Sequence, residues 1–122
     1  LEKICKALKP GGQLLMEAYK WKAVRKLGGG DSWFTAPESV FSSAPHLCLS
    51  RNQWFEEDGA ARQTFHIVDG ETRKLQTMCS TTKAWTNEDY ETLLLGAGFS
   101  EIHFHEDWPE PREEFLLIRT IK

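Results

Sequence analysis

The sequence predicts an α/β fold in which a partial sheet is interrupted by an antiparallel meander, and three observations carry that reading. Near the start, Leu8-Lys9-Pro10-Gly11-Gly12 stops a helix and hands the chain to the apolar run Leu14-Leu15-Met16. Near the end, a capped helix runs to Gly96-Ala97-Gly98-Phe99 and hands the chain to another strand. Between them, two Asp-Gly pairs separate three strand-like runs. Helix-to-strand joints flanking a run of hairpins fit the mixed class.

Leu1, Ile4, Cys5 and Leu8 fall at i, i+3, i+4 and i+7, one face of a helix already running at the first residue. No N-cap precedes it, so a truncation ahead of Leu1 is expected. Pro10 disfavours helical geometry at Lys9, and Gly11-Gly12 supply a positive-φ turn. Gln13 to Ala18 then reads as a strand covered on both faces, since Leu14, Leu15 and Met16 are consecutive. Glu17 comes at the C-terminal end of that strand, where α/β sheets hold their ligands. Residues 19–30 read as a loop or short helix. Gly28-Gly29-Gly30 reads as a flexible joint, because a phosphate-cradling loop needs a strand before it and a helix after it. Asp31 to Pro45, rich in Ser, Pro and aromatics, reads as irregular with a short helical turn from Pro37.

Leu47 to Glu56, Ala61 to Val68 and Thr72 to Thr82 are the strand candidates. Asp58-Gly59 and Asp69-Gly70 between them predict type I′ hairpin turns and a three-stranded meander. In the third run Leu75, Thr77 and Cys79 alternate with Lys74, Gln76 and Met78, which predicts one partly wet face. Thr86 and Asp89 form a capping-box pattern. Tyr90, Leu93, Leu94 and Ala97 make the buried stripe of the helix that follows, and Gly98 ends it with a left-handed turn. Ile102 and Phe104 alternate with His103 and His105, as on an edge strand. Trp108-Pro109-Glu110-Pro111 reads as a rigid loop. Phe115-Leu116-Leu117-Ile118 reads as a central strand.

The chain has 122 residues and a formal charge of -3. The negative balance argues against a nucleic-acid footprint, which needs a basic face. No apolar run approaches the roughly 20 residues that span a bilayer, so no membrane partner is expected. Three widely spaced cysteines, Cys5, Cys48 and Cys79, fit reduced thiols in a cytoplasmic protein. His103 and His105 share a strand face, the spacing that lets two imidazoles reach one metal. No third ligand stands at diagnostic spacing, so no metal is assigned. No nucleophile elbow is present. Five tryptophans are many for this length. Such rings either plug a core or wall a ligand pocket.

In this order of helix, Leu-Lys-Pro-Gly-Gly turn, buried strand, variable insert, capped helix, Ala-Gly-Phe turn, strand and buried strand, the chain resembles the C-terminal half of a class I, Rossmann-like S-adenosylmethionine-dependent methyltransferase. The resemblance is close over about half the chain. It implies that Gln13–Ala18 is that family's strand five and that the Ile102 strand is strand six. The Phe115 strand would then be strand seven, antiparallel between them. It implies one partial domain over 1–122: helix and strand five in 1–18, a substrate-side insert with the meander in 19–85, and the last helix with strands six and seven in 86–122. The cofactor would be S-adenosylmethionine for the complete domain. Its contacts come mostly from the family's first half, including a glycine-rich turn with no counterpart here. No cofactor-binding residue carries over, and this chain alone is not expected to bind it.

The end of strand five faces the acceptor in that family, which makes Glu17, Tyr19 and Trp21 candidate substrate-binding residues. Trp33 and Trp54 join them from the insert, and the catalytic base is unassigned. The implied function is methyl transfer to a small or medium acceptor, inactive without an upstream cofactor-binding half. The implied partner is that missing half or a second copy in a homo-oligomer. A non-catalytic methyltransferase-like subunit and an α+β binding module with an aromatic pocket are the alternatives.

Overall fold

The computed structural model describes residues 1–105 and 113–122. The rigid loop expected at Trp108–Pro111 lies outside them. The elements in chain order are α1 (Glu2–Ala7), β1 (Gln13–Tyr19), α2 (Trp21–Leu27), β2 (Ser32–Ala36), β3 (His46–Phe55), β4 (Ala60–Asp69), β5 (Leu75–Lys83), α3 (Asn87–Gly96), β6 (Ser100–His105) and β7 (Phe115–Ile121). They divide into two compact units. Unit 1 is Leu1–Ala23 with Ala84–Lys122, and unit 2 is Val24–Lys83.

Unit 1 is a three-stranded sheet in the order β1-β7-β6, antiparallel throughout. The unbroken apolar run at Phe115–Ile118 predicts a central place for β7, and β7 lies there. Leu116, Ile118 and Thr120 on one of its faces are buried. That face packs with Ala18, Cys5, Leu94 and Phe99 into the core, flanked by Leu14, Met16 and Phe104. Helix α3 opens as its sequence dictates: Thr86 Oγ1 accepts from the Asp89 N–H at 3.1 Å, and the Asp89 carboxylate accepts from the Thr86 N–H at 2.8 Å. Gly98 closes it at φ 93. A Cβ there would only touch the sulfur of Cys5, whose thiol donates to the Gly98 carbonyl at 3.3 Å. Gly11, at φ 75, donates its N–H to the Lys122 carbonyl, so the turn before β1 is tied to the end of β7.

Two expectations for unit 1 need correction. Strand β1 is not covered on both faces: Leu15 is 60% exposed, and Glu17 and Tyr19 beside it are exposed too. Three consecutive apolar residues carry no period, so they reveal apolar content without revealing which face is covered. In α3, Leu94 is fully buried while Leu93 is 40% exposed; the stripe is narrower than its spacing implies.

Unit 2 is a four-stranded antiparallel sheet in the order β2-β3-β4-β5. The fourth strand is β2, within the stretch expected to be irregular. Trp33, Phe34 and Thr35 have strong strand propensity, and pairing with Cys48 and its neighbours realises it. The turns differ from the expected type. At the first, Gly59 N–H donates to the Glu56 carbonyl and only Gly59 has positive φ, so it is a four-residue turn with a left-handed exit. At the second, Gly70 is not left-handed; the chain runs on to Lys74, with positive φ at Arg73. Gly70 is needed for a different reason: a Cβ there would lie 2.8 Å from the Pro45 carbonyl oxygen, which accepts the Gly70 N–H. Strand β5 is exposed on both faces, save for a half-buried Thr82, as befits the edge.

One face of unit 2 is packed. Cys48, Ala61 and Ile67 are buried on it. The Phe41 ring, from the segment after β2, lies 4.9 Å from Phe65. Buried His46 pins that segment: its Nδ1 is 2.8 Å from the Ala44 carbonyl, and its Nε2 is 2.8 Å from Ser39 Oγ. The carbonyl requires a proton on Nδ1, and in the neutral ring Nε2 then accepts from the Ser39 hydroxyl.

Candidate functional site

Strand alternation decides which candidate side chains share a face. In unit 1, Leu15, Glu17 and Tyr19 pair directly with Arg119, Leu117 and Phe115 of β7. Across β7, Arg119 and Leu117 pair with His103 and His105 of β6. The open face of the sheet therefore carries three rows: Leu15–Arg119–His103, Glu17–Leu117–His105, and Tyr19–Phe115. The Tyr19 and Phe115 rings lie 4.4 Å apart at 32°. The Tyr90 hydroxyl reaches the Tyr19 carbonyl at 3.5 Å. Burial raises the pKa of that phenol, which keeps its proton and its donor role at neutral pH. Trp21, the first residue of α2, is 39% exposed. Glu17 and Tyr19 are thus brought together, with a carboxylate beside an aromatic pair.

Trp33 and Trp54 belong to unit 2 and lie on opposite faces of its sheet. Trp33 pairs with Leu49 of β3, and Trp54 stands five residues further along that strand, an odd step that reverses the face. Trp33 is 69% exposed. Trp54 is half-buried, with its indole Nε1 donating to Glu56 at 2.5 Å and the Arg25 guanidinium 4.9 Å from its ring centroid. The backbone of Trp54 also leaves no room for a side chain at Gly28, where a Cβ would sit 2.9 Å from its Cα. The two tryptophans do not line one pocket within this sheet. A shallow apolar depression of about 470 Å³ lies elsewhere in unit 2, bounded by Thr35, Pro37, Pro45, Leu47 and Val68.

Sequence reasoning missed Arg119, Phe115 and the His46–Ser39 pin as parts of these faces. Register alone places Arg119 and Phe115 beside β1, and no local pattern encodes a pairing across the length of the chain. His103 and His105 do share a face of β6. No group of three metal-ligating side chains forms among the described residues. Cys5 and Cys48 are buried free thiols and Cys79 is an exposed one. Gly28-Gly29-Gly30 joins α2 to β2, the reverse of the strand-to-helix order that cradles phosphate or a nucleotide. No helix among the described residues is long and apolar enough to cross a membrane.

No protein-family model and no curated protein matches the chain. Solved structures do. An S-adenosylmethionine-dependent methyltransferase from Clostridium acetobutylicum superposes with a TM-score of 0.70 at 20% identity, over 98% of this chain and 48% of its own. The sugar N-methyltransferase KedS8 from Streptoalloteichus gives a TM-score of 0.70 at 20% identity, over 99% of this chain and 46% of its own. CalS10, an amino pentose methyltransferase from Micromonospora echinaspora solved with S-adenosylmethionine bound, gives 0.63 at 18% identity, over 98% and 48%. The likeness is one of fold, and the chain spans about half the length of each.

Proposed function

We propose that this chain is the substrate-side, C-terminal half of an S-adenosylmethionine-dependent methyltransferase, and that it acts on a small polar acceptor. The observation that supports it most is the fold likeness: nearly all of this chain superposes on about half of each of several such enzymes. The order β1-β7-β6, with β7 antiparallel in the middle, agrees with strands five, seven and six of a class I methyltransferase sheet. The missing half then supplies the cofactor site, and the bound cofactor supplies an electrophilic methyl group.

This chain's own residues hold the acceptor. Glu17 at the end of β1 accepts hydrogen bonds from acceptor hydroxyl or ammonium groups. The Tyr19 and Trp21 rings give apolar walls that exclude water. Trp33 and Trp54 complete the insert's contribution from different faces, Trp33 to ligand or partner and Trp54 to the packing of α2. Amino sugars are the first acceptors to try, since two of the superposed enzymes are described as sugar or amino pentose methyltransferases.

The test is conversion of S-adenosylmethionine to S-adenosylhomocysteine by the polypeptide that the complete reading frame encodes, with a panel of amino sugars and small alcohols. Acceptor-dependent turnover supports the reading. Titration calorimetry with the 122-residue chain should show no saturable micromolar binding of S-adenosylmethionine. Such binding would mean that the half-domain account is mistaken.

A further inference from the structure

We infer that Ser39 and His46 form a second reactive centre, in which the serine hydroxyl takes a short apolar acyl group from an ester and passes it to water. Every group in it lies in unit 2, and it uses nothing of the methyl-transfer reading.

Three features go beyond what a structural pin requires. The first is the direction of the hydrogen bonds. His46 Nδ1 meets the Ala44 carbonyl at 2.8 Å, and in the neutral ring this leaves Nε2 as an acceptor 2.8 Å from Ser39 Oγ. A buried imidazole is thus held as a base facing a hydroxyl, with a third group fixing its tautomer. Asp69 stands opposite His46 in the ladder of β3 and β4, and its carboxylate feels the charge of His46. That carboxylate favours the imidazolium formed when Nε2 takes a proton.

The second is the serine itself. Its Oγ accepts the Phe41 N–H at 3.1 Å and donates to Nε2, so its proton is aimed at the base. One lone pair is left for attack. Ser39 is half-buried rather than sealed. The third is the apolar depression of about 470 Å³. His46 lines it, together with Pro37, Pro45, Leu47 and Val68. An apolar seat beside a nucleophile and its base selects an apolar acyl group, and a shallow seat selects a short one.

The reaction balances with water as the only co-reactant. The free lone pair of Oγ bonds to the ester carbonyl carbon while the hydroxyl proton passes to Nε2. The tetrahedral adduct expels the alcohol oxygen, which leaves with the proton from Nε2. Water attacks the acyl-serine in the same way: its proton goes to Nε2 and then to Oγ as the acid departs. The net change is ester and water to acid and alcohol.

The test uses the complete polypeptide without S-adenosylmethionine. A fluorophosphonate probe should attach to Ser39, located by fragmentation mass spectrometry. The protein should hydrolyse p-nitrophenyl butyrate faster than the acetate. Ser39→Ala should lose both reactions. His46→Gln should slow the labelling by about 100-fold or more, the usual effect of a general base. No adduct, or an adduct only on another residue, overturns the centre. Unchanged labelling of a folded His46→Gln protein overturns the base. If that variant does not fold, the nitrogen-15 spectrum of the unaltered protein decides: a neutral His46 with its proton on Nδ1 supports the base, and one with its proton on Nε2 overturns it. Acetate hydrolysed as fast as butyrate overturns the depression as the acyl seat.

Discussion

Thr86 and Asp69 show how single polar side chains hold this fold at its joints. Thr86 and Asp89 satisfy each other's backbone N–H groups at the start of α3. Thr86→Ala should cost about 1 kcal/mol of stability, the usual size for a lost cap, read as a shift in a urea unfolding midpoint. Asp69 organises the turn after β4: its Oδ1 accepts from the Thr72 N–H at 2.7 Å and the Glu71 N–H at 3.0 Å. The Thr72 hydrogen bonds hold its carboxyl below the ordinary value of 3.8, with a smaller contribution from the charge of His46. A depressed carboxyl pKa stabilises the fold above the ordinary value, and that stability is lost as pH falls through the lower, folded value. The Glu71 and Thr72 amide resonances should therefore titrate with a midpoint below 3.8; a midpoint at or above it would refute the turn's geometry. Burial raises the Cys48 thiol, so less thiolate forms there at a given pH. Alkylation at pH 8 should modify exposed Cys79 first and Cys48 only on unfolding, read by mass spectrometry of the tryptic peptides.

At the scale of elements, what the sequence announced was whatever depends on neighbours along the chain. The Pro10-Gly11-Gly12 stop, the Thr86 cap, the Gly98 exit and the alternation in β6 all rest on contacts within a few residues, and all are where local chemistry puts them. Strand β2 was hidden because Ser32–Ala36 is short and is followed by Pro37. Its strand character comes from pairing with β3, not from its own surroundings. The Asp-Gly pairs marked the hairpins correctly but not their turn types. Turn length is set by the register of β3 on β4 and of β4 on β5, which local sequence does not show. For the same reason the candidate site was only partly legible. Glu17 and Tyr19 were visible at a strand end, while Arg119 and Phe115 joined them through pairing alone. Gly28 is a further position whose role only packing reveals. Gly28→Ala should destabilise the protein by about 1–3 kcal/mol, the range for overpacking, because the added Cβ meets the backbone of Trp54. A thermal melt unchanged within error would show that α2 and β3 do not approach as described.

At the scale of the molecule, each unit exposes apolar side chains of its own, Leu15 and Tyr19 on the open face of unit 1 and Trp33, Leu49 and Leu75 on unit 2. Surfaces of this kind recruit partners, and two-fold pairing is the default among identical chains. The 122-residue chain should therefore scatter light as a dimer or larger species at micromolar concentration. A stable monomer with strong hydrogen-exchange protection would favour a self-sufficient binding module. The pairing of Gln13 with Ile121 has a consequence of another kind. The central strand of the unit 1 sheet is synthesised after every other described element, and β1 must wait for it while unit 2 is made. Unit 2 closes through hairpins between consecutive strands and waits for nothing. Closure of distant contacts is slow and local contacts form quickly. The insert should thus fold on the ribosome as an early island, while the half-built sheet on either side of it stays open. In that interval strand β1 presents an unpaired edge and apolar side chains, the features that make a partly folded chain prone to associate with others.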